Sequence, residues 1–148
     1  MILRLSAAGL LLLAACGEMP RDPEGTLERV RAEHVFRVGL ISSGDHRDDA
    51  HRERDFLLRV ARATGAQPVV TEGAAEPLLL KLEEGGLDLV VGTVAEKSPW
   101  LGRVAILEPL TQLGGEPARI VSPIARNGEN AWIMLLEHHA RGASGSRG

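Results

Sequence analysis

Leu87 to Val91 is a short, mostly apolar and partly β-branched block that follows a double glycine and ends at Gly92. That is the pattern of a strand buried on both faces, which places it at the centre of a parallel sheet. The chain before it alternates strand and helix. Thr26 caps a short helix that carries Leu27 and Val30 on one side and ends around Glu33. A first strand follows over Val35 to Ile41. Asp48 or Asp49 opens a helix through Thr64, with Phe56, Leu57, Val60, Ala61 and Ala63 at helical spacing and Gly65 as its stop. Residues 68–71 read as a second strand. Pro77 opens another helix, with Leu78, Leu79 and Leu82 inward and Gly85 and Gly86 as its end. Strand, helix, strand, helix, strand is the order of a right-handed α/β unit. The expected fold class is therefore α/β, a mainly parallel sheet flanked by helices, with the first and third strands adjacent and the second outside the first.

In open α/β sheets ligands bind where the carboxyl ends of strands open into a crevice. Two strand ends qualify here. Gly92 and Thr93 follow the central strand, and Ser42, Ser43, Gly44 and Asp45 follow the first. Ser42, Ser43, Gly92, Thr93 and Arg103 are the candidate ligand-binding residues, with backbone amides around Ser43 and Thr93 as donors. Ser98, Pro99 and Trp100 read as an N-cap, a first-turn proline and the start of one helical turn, after which Arg103 offers a charge to an anion. The competing reading of Arg103 is a surface side chain held in a salt bridge.

The chain has 148 residues, 44% hydrophobic and 25% charged, enough for a single core. A formal charge of -3 with no basic block argues against a nucleic-acid partner. Aromatic residues make up 3%, which leaves little to stack on bases or sugars.

The amino terminus bears on location. Arg4 precedes an apolar run through Leu10, Leu11, Leu12 and Leu13, too short to span a bilayer but the right length for an export signal. Leu13, Ala14, Ala15 and Cys16, followed by Gly17, resemble the lipobox of bacterial lipoproteins. This gives a signal peptide over residues 1–15, a lipidation site at Cys16 and a polar tether over residues 16–25. Two or more acyl chains would hold such a protein on a membrane. Gly17 in place of aspartate favours the outer membrane over the inner one by the enterobacterial sorting pattern. Cys16 is the sole cysteine, so no disulfide forms within one chain.

TLERVRAEHVFR at residues 26–37, the later LEEGGLDLVVG and the SPWLGRVAILEPL segment resemble the first lobe of family 3 extracellular solute-binding proteins. These are receptors that feed polar amino acids to ABC importers. The resemblance covers residues 26–111 and implies a periplasmic, lipid-anchored lobe that binds a small polar, amino-acid-like solute, with an ABC-transporter permease as partner. It also implies an arginine after the third-strand loop that pairs with the ligand's carboxylate, a position best matched by Arg103. This chain departs from the family in three ways. It has Gly44, Asp45 and His46 where the family places an aromatic, and Leu110 after Pro109 where it often has tyrosine. No stretch remains for a second lobe. Residues 112–142 read instead as a closing strand and a C-terminal helix, starting near Asn127 or Gly128, whose Trp132, Leu135 and Leu136 pack on the sheet. Residues 143–148 read as a disordered tail.

Other chemistry is thin. Asp45, His46, Asp48, Asp49 and His51 could in principle hold a metal, but acids at a helix start are the simpler account, and no metal or cofactor is expected. His138 and His139 are adjacent and expected to point apart. Glu83, Glu84, Asp88 and Glu96 read as surface acids near helix ends. With no Ser-His-Asp order, phosphate loop or HExxH run, an enzyme is the last-ranked class. The alternative to solute binding is a degenerate receptor lobe acting as an envelope protein-interaction module.

Overall fold

The computed structural model describes residues 21–42 and 47–144. In chain order these form α1 (Thr26–Glu33), β1 (Val35–Ile41), α2 (Arg47–Thr64), β2 (Gln67–Gly73), α3 (Ala75–Glu83) and β3 (Leu89–Ala95). A single 3-10 turn (Pro99–Gly102), β4 (Val104–Ile106), β5 (Thr111–Gly114), β6 (Arg119–Arg126) and α4 (Asn130–Ser144) complete the chain. The strands form one six-stranded sheet in the order β2-β1-β3-β6-β4, with β5 also on β6.

β1 pairs in parallel with both β2 and β3, as the alternating pattern predicts. β6 is antiparallel to β3, β4 and β5, so the sheet is mixed rather than mainly parallel. The difference lies in the return of the chain. β5 and β6 are joined by a tight turn, and a hairpin can only bring its second strand back antiparallel.

Helices cover both faces. Val30 of α1, Phe56 and Val60 of α2, and Trp132, Leu136 and Ala140 of α4 pack with Phe36, Val38, Val91 and Val121 on one side of the sheet. Phe36 and Trp132 meet edge to face at 6.1 Å. On the other side Leu78, Leu79 and Leu82 of α3 pack with Val90, Val94, Ile120 and Ile124, and Trp100 of the 3-10 turn closes against them. The C-terminal helix therefore uses its apolar face in the core. It starts two to three residues later than the sequence suggests and runs to Ser144, two residues into the span expected to be a tail. Residues 145–148 lie outside the described residues.

The helix starts are capped from a distance. Gly25, with φ 67°, precedes α1, and Thr26 is its first helical residue rather than its cap. Glu129, 1% exposed, accepts from the backbone N–H groups of Glu24 and Thr26 at 2.9 Å each. Asp22 accepts from Leu27 N at 2.8 Å and from Trp132 N at 3.0 Å, so one carboxylate serves the first turns of α1 and α4 together. Burial alone would raise the pKa of Glu129, but hydrogen bonds from Thr26 and Glu24 and the charge of Arg126 outweigh it and bring the carboxyl down. Residues 22–25 are accordingly fastened to the body instead of hanging as tether.

Asp88 is the other correction. It is 4% exposed, not a surface acid. Its carboxylate accepts from Arg37 N at 2.8 Å, Arg37 Nε at 3.1 Å and Arg37 Nη2 at 2.6 Å, and from Arg29 Nη2. Asp88→Asn leaves the Arg37 guanidinium without its carboxylate acceptor and Arg29 with Glu33 alone. We expect a loss of about 2–3 kcal/mol, read as a lower urea midpoint at unchanged slope.

Candidate functional site

Ser42, Thr93 and Thr111 fall on one line across the carboxyl end of the sheet. Thr93 pairs with Val121, and Val121 pairs with Thr111. Continuing the parallel register two steps past the pairing of Leu40 with Val91 sets Ser42 level with Thr93 by way of Ile41 and Gly92. All three share the face of Val91 and Val121, which is the face α2 covers. The extended register thus sets Ser42 level with Thr93, and on the same row, through Val121, lies Thr111, which the sequence reading missed. Its signal was present only as a polar β-branched residue opening the hinge-like segment after Pro109 and Leu110.

Gly92 has φ 149°, and a Cβ built on it would lie 2.6 Å from the Cβ of Ile41. Glycine is needed there because β1 and β3 approach too closely for any side chain. Rather than opening a loop at Gly92, β3 continues to Ala95 along β6. Ser42 donates its backbone N–H to Gly73 O at 3.0 Å, so that amide is already used. Ser43 lies outside the described residues, as do Gly44, Asp45 and His46.

Arg103 is at the other end of the sheet. Val104 pairs with Arg126, two residues beyond the pairing of Ile124 with Val90, so the start of β4 is level with position 88. Thr93 is five residues further on, ~16 Å at the rise of a strand. Arg103 makes a two-pronged pair with Glu83, at 3.1 Å from Nε to Oε1, and its guanidinium lies 4.3 Å from the centre of the Trp100 ring. The 3-10 turn itself follows expectation, with Ser98 Oγ accepting from Trp100 N at 3.3 Å.

The inner side of α2 is acidic towards its amino-terminal end. Asp49, Glu53, Phe56 and Val60 recur at helical spacing on α2, and Asp49, Phe56 and Val60 are buried. The core-facing stripe of this helix therefore continues into two carboxyl groups above the strand ends. Between α2 and the ends of β1 and β2 lies a groove of ≈ 510 Å³. Leu40, Leu57 and Val70 give it apolar walls, and Ser42, Glu53, Arg54 and Glu72 supply polar groups. Its size suits a small molecule. A second, wider trough of ≈ 640 Å³ lies between α2 and α4, with Arg59, Arg62, Asp55 and His139 on its walls, away from the strand ends. There the rings of His138 and His139 meet edge to face at 5.1 Å instead of pointing apart. Burial, His138 and Arg59 hold the pKa of His139 below the usual imidazole value.

Glu53 is the unusual group. Burial, then the nearby Asp49 charge, push its pKa from 4.5 up to about 7. Among the described residues, three buried side-chain oxygens have no hydrogen-bond partner: Glu53 Oε1, Thr93 Oγ1 and Thr111 Oγ1. Thr93 and Thr111 are level with each other across β6, and Glu53 lines the groove between α2 and the ends of β1 and β2, whose walls include neither threonine. Buried polar atoms are nearly always paired, so each of these orphans calls for an explanation. Among the described residues no group of three His, Cys, Asp or Glu side chains could hold a metal.

No protein-family model matches the chain, and no curated protein matches it significantly. Among solved structures, it is similar to the arginine-bound form of domain 1 from TmArgBP. A point mutant of that domain superimposes with a TM-score of 0.64 at 15% identity, covering 78% of this chain and 96% of that one. The unmutated domain gives 0.63 at 14%, covering 77% and 97%. A mutant of arginine-bound ArgBP from T. maritima gives 0.59 at 10%, covering 78% and 99%. The fold is thus an α/β lobe like that of the arginine-bound domain, with a mixed sheet between two helical layers.

A carboxyl whose folded-state pKa lies above its unfolded value leaves the native state at a disadvantage once it ionises. For Glu53 that disadvantage is absent below pH 4.5, grows toward pH 7 and is complete above it. Glu53→Gln should therefore stabilise the protein at pH 8 by about 1–2 kcal/mol, a figure reduced for partial solvent access, and by nothing measurable at pH 5. Thermal melts at the two pH values check this.

Proposed function

We propose that this chain is a lipid-anchored, extracytoplasmic binding lobe that captures a small polar, amino-acid-like solute for an ABC importer. The observation that carries the reading is the collection of Glu53 Oε1, Thr93 Oγ1 and Thr111 Oγ1, buried and unpaired, at the carboxyl end of the sheet. A ligand supplying complementary groups would satisfy them, and strand carboxyl ends are where open α/β sheets take ligands. The likeness in fold to arginine-bound lobes supports the amino-acid-like class. Cys16 carries the anchor and residues 1–15 the export signal. The site consists of Ser42, Thr93, Thr111 and Glu53, with Gly92 between β1 and β3; Ser43, the other hydroxyl the sequence offers, lies outside the described residues. Arg103 keeps a structural role in its pair with Glu83, and the second lobe of the family is lost at the β5–β6 turn.

A one-lobed receptor has no hinge to close over its ligand, so micromolar or weaker binding is expected. In a thermal-shift screen against amino acids and small organic acids, a dose-dependent rise in melting temperature marks a ligand. Thr93→Val should abolish the rise, whereas Arg103→Ala should keep it while lowering stability by about 0.5–1 kcal/mol. No rise with any compound, from a sample that melts cooperatively, would remove the solute-binding reading. Labelling with palmitate in cells, lost in Cys16→Ser, checks the anchor separately.

The second reading, a protein-interaction module, has one observation in its favour. Val69 and Val70 on the edge strand β2 are 53% and 45% exposed, and Leu58 on α2 beside them is 46% exposed. Such an edge can accept a strand from a partner.

A further inference from the structure

We propose that the groove between α2 and the ends of β1 and β2 selects ligands carrying a positively charged nitrogen, an ammonium or guanidinium group, with Glu53 as its counter-ion. This rests on the solute-binding reading above and narrows it to a ligand charge. Charge around the groove is mainly negative. Glu53 and Arg54 on α2 and Glu72 on β2 line it, and Asp49 stands one turn before Glu53 on the core-facing stripe. Among the described residues, the groups facing Glu53 thus comprise two further carboxyls and one guanidinium. Arg54 belongs to the exposed side of the helix, away from the stripe that Glu53 continues.

Glu53 Oε1 is closed off from solvent and accepts no hydrogen bond. A carboxyl in that position is short of donors, and Ser42 supplies the one hydroxyl on the walls of the groove. A primary ammonium has three N–H donors and a guanidinium five. Either would bring a charge-assisted bond to the Glu53 carboxyl in a partly dry site and leave donors for Ser42 and Glu72, which line the same groove. The apolar walls, Leu40, Leu57 and Val70, suit the methylene stem that carries such a head group. An anionic ligand would meet Glu53, Asp49 and Glu72 with the wrong sign.

Because the Glu53 carboxyl has its pKa near 7, its charge is incomplete at neutral pH, and a bound cation completes it by expelling the proton to solvent. Apparent affinity for a cation then follows the ionised fraction of Glu53. It should rise about tenfold between pH 6 and pH 8.

The test uses calorimetric titration of the full chain in detergent with matched probes. L-arginine and L-citrulline have nearly the same shape and differ in charge, as do L-lysine and L-norleucine; L-glutamate supplies the opposite sign. We expect each cation to bind at least tenfold more tightly than its neutral mate, more tightly at pH 8 than at pH 6. In Glu53→Gln, folded by circular dichroism, both the preference and the pH dependence should disappear. Equal binding of cation and neutral mate, or preference for L-glutamate, overturns the charge assignment and leaves solute binding standing. A preference that survives unchanged in Glu53→Gln overturns the role of Glu53. Failure of every probe, neutral and anionic ones included, overturns both this inference and the reading it rests on.

Discussion

Asp88 is the residue through which the layers of this protein are joined. Its carboxylate takes the backbone N–H and the guanidinium of Arg37 at the start of β1 and the guanidinium of Arg29 on α1. Its carbonyl takes the indole N–H of Trp132 on α4 at 2.7 Å, and its own N–H donates to Arg37 O at 2.9 Å. A carboxylate taken out of water is costly unless its oxygens are saturated with donors, and here four donors surround it. The consequence is geometric. α1, β1, β3 and α4 cannot shift against one another without opening that shell, so the lower end of the sheet is fixed, and the hydrophobic clusters on both faces are assembled on a frame already in register.

With that end closed, the opposite end is where the structure leaves its polar groups incomplete. Below, Asp22 and Glu129 satisfy the first turns of two helices and Asp88 gathers two arginines. Above, the threonines of β3 and β5 and the glutamate of α2 have oxygens without partners. The same sheet carries a saturated network at one edge and an unsaturated one at the other. A stability argument explains the first and offers nothing for the second, since each orphan hydroxyl costs on the order of 1 kcal/mol or more. Unsatisfied groups persist in native structures where a ligand completes them, which is why the function is sought at that edge.

The fold was legible because hydrophobic period and punctuation agree over most of the chain. Leu78, Leu79 and Leu82, with Gly85 behind them, could be nothing but an inward helix with a stop, and Val90 and Val91 nothing but a central strand. The strand order β2-β1-β3 then followed from the handedness of crossovers. What period cannot show is which end of a sheet a loop residue reaches. Arg103 stands shortly after β3 in sequence, yet the chain crosses back over the α3 face before it, and Glu83 and Trp100 hold it at the amino-terminal end. Distance capping was equally hidden: Glu129 serves Thr26 across 103 residues, and no local signature announces a partner so far away. Asp88 read as a surface acid for the same reason, because both arginines that bury it come from other elements.

The tight β5–β6 turn sets the physical limit on whatever the upper edge does. The few residues after Gly114 close β5 onto β6, so the described residues form one wall with none facing it. A ligand held on such a wall alone would keep part of its surface in water, so burial would contribute less and the directional, charge-assisted contacts a larger share of the binding energy. Under those conditions discrimination by shape is weak and discrimination by charge is strong, because half-open apolar walls reject little while an unpaired carboxylate tolerates only one sign. Glu53 sits on the stripe of α2 that the core fixes through Phe56 and Val60, so its carboxyl is held in position before any ligand arrives. Preorganisation of that kind is the device by which a single wall would offset the lack of a facing one.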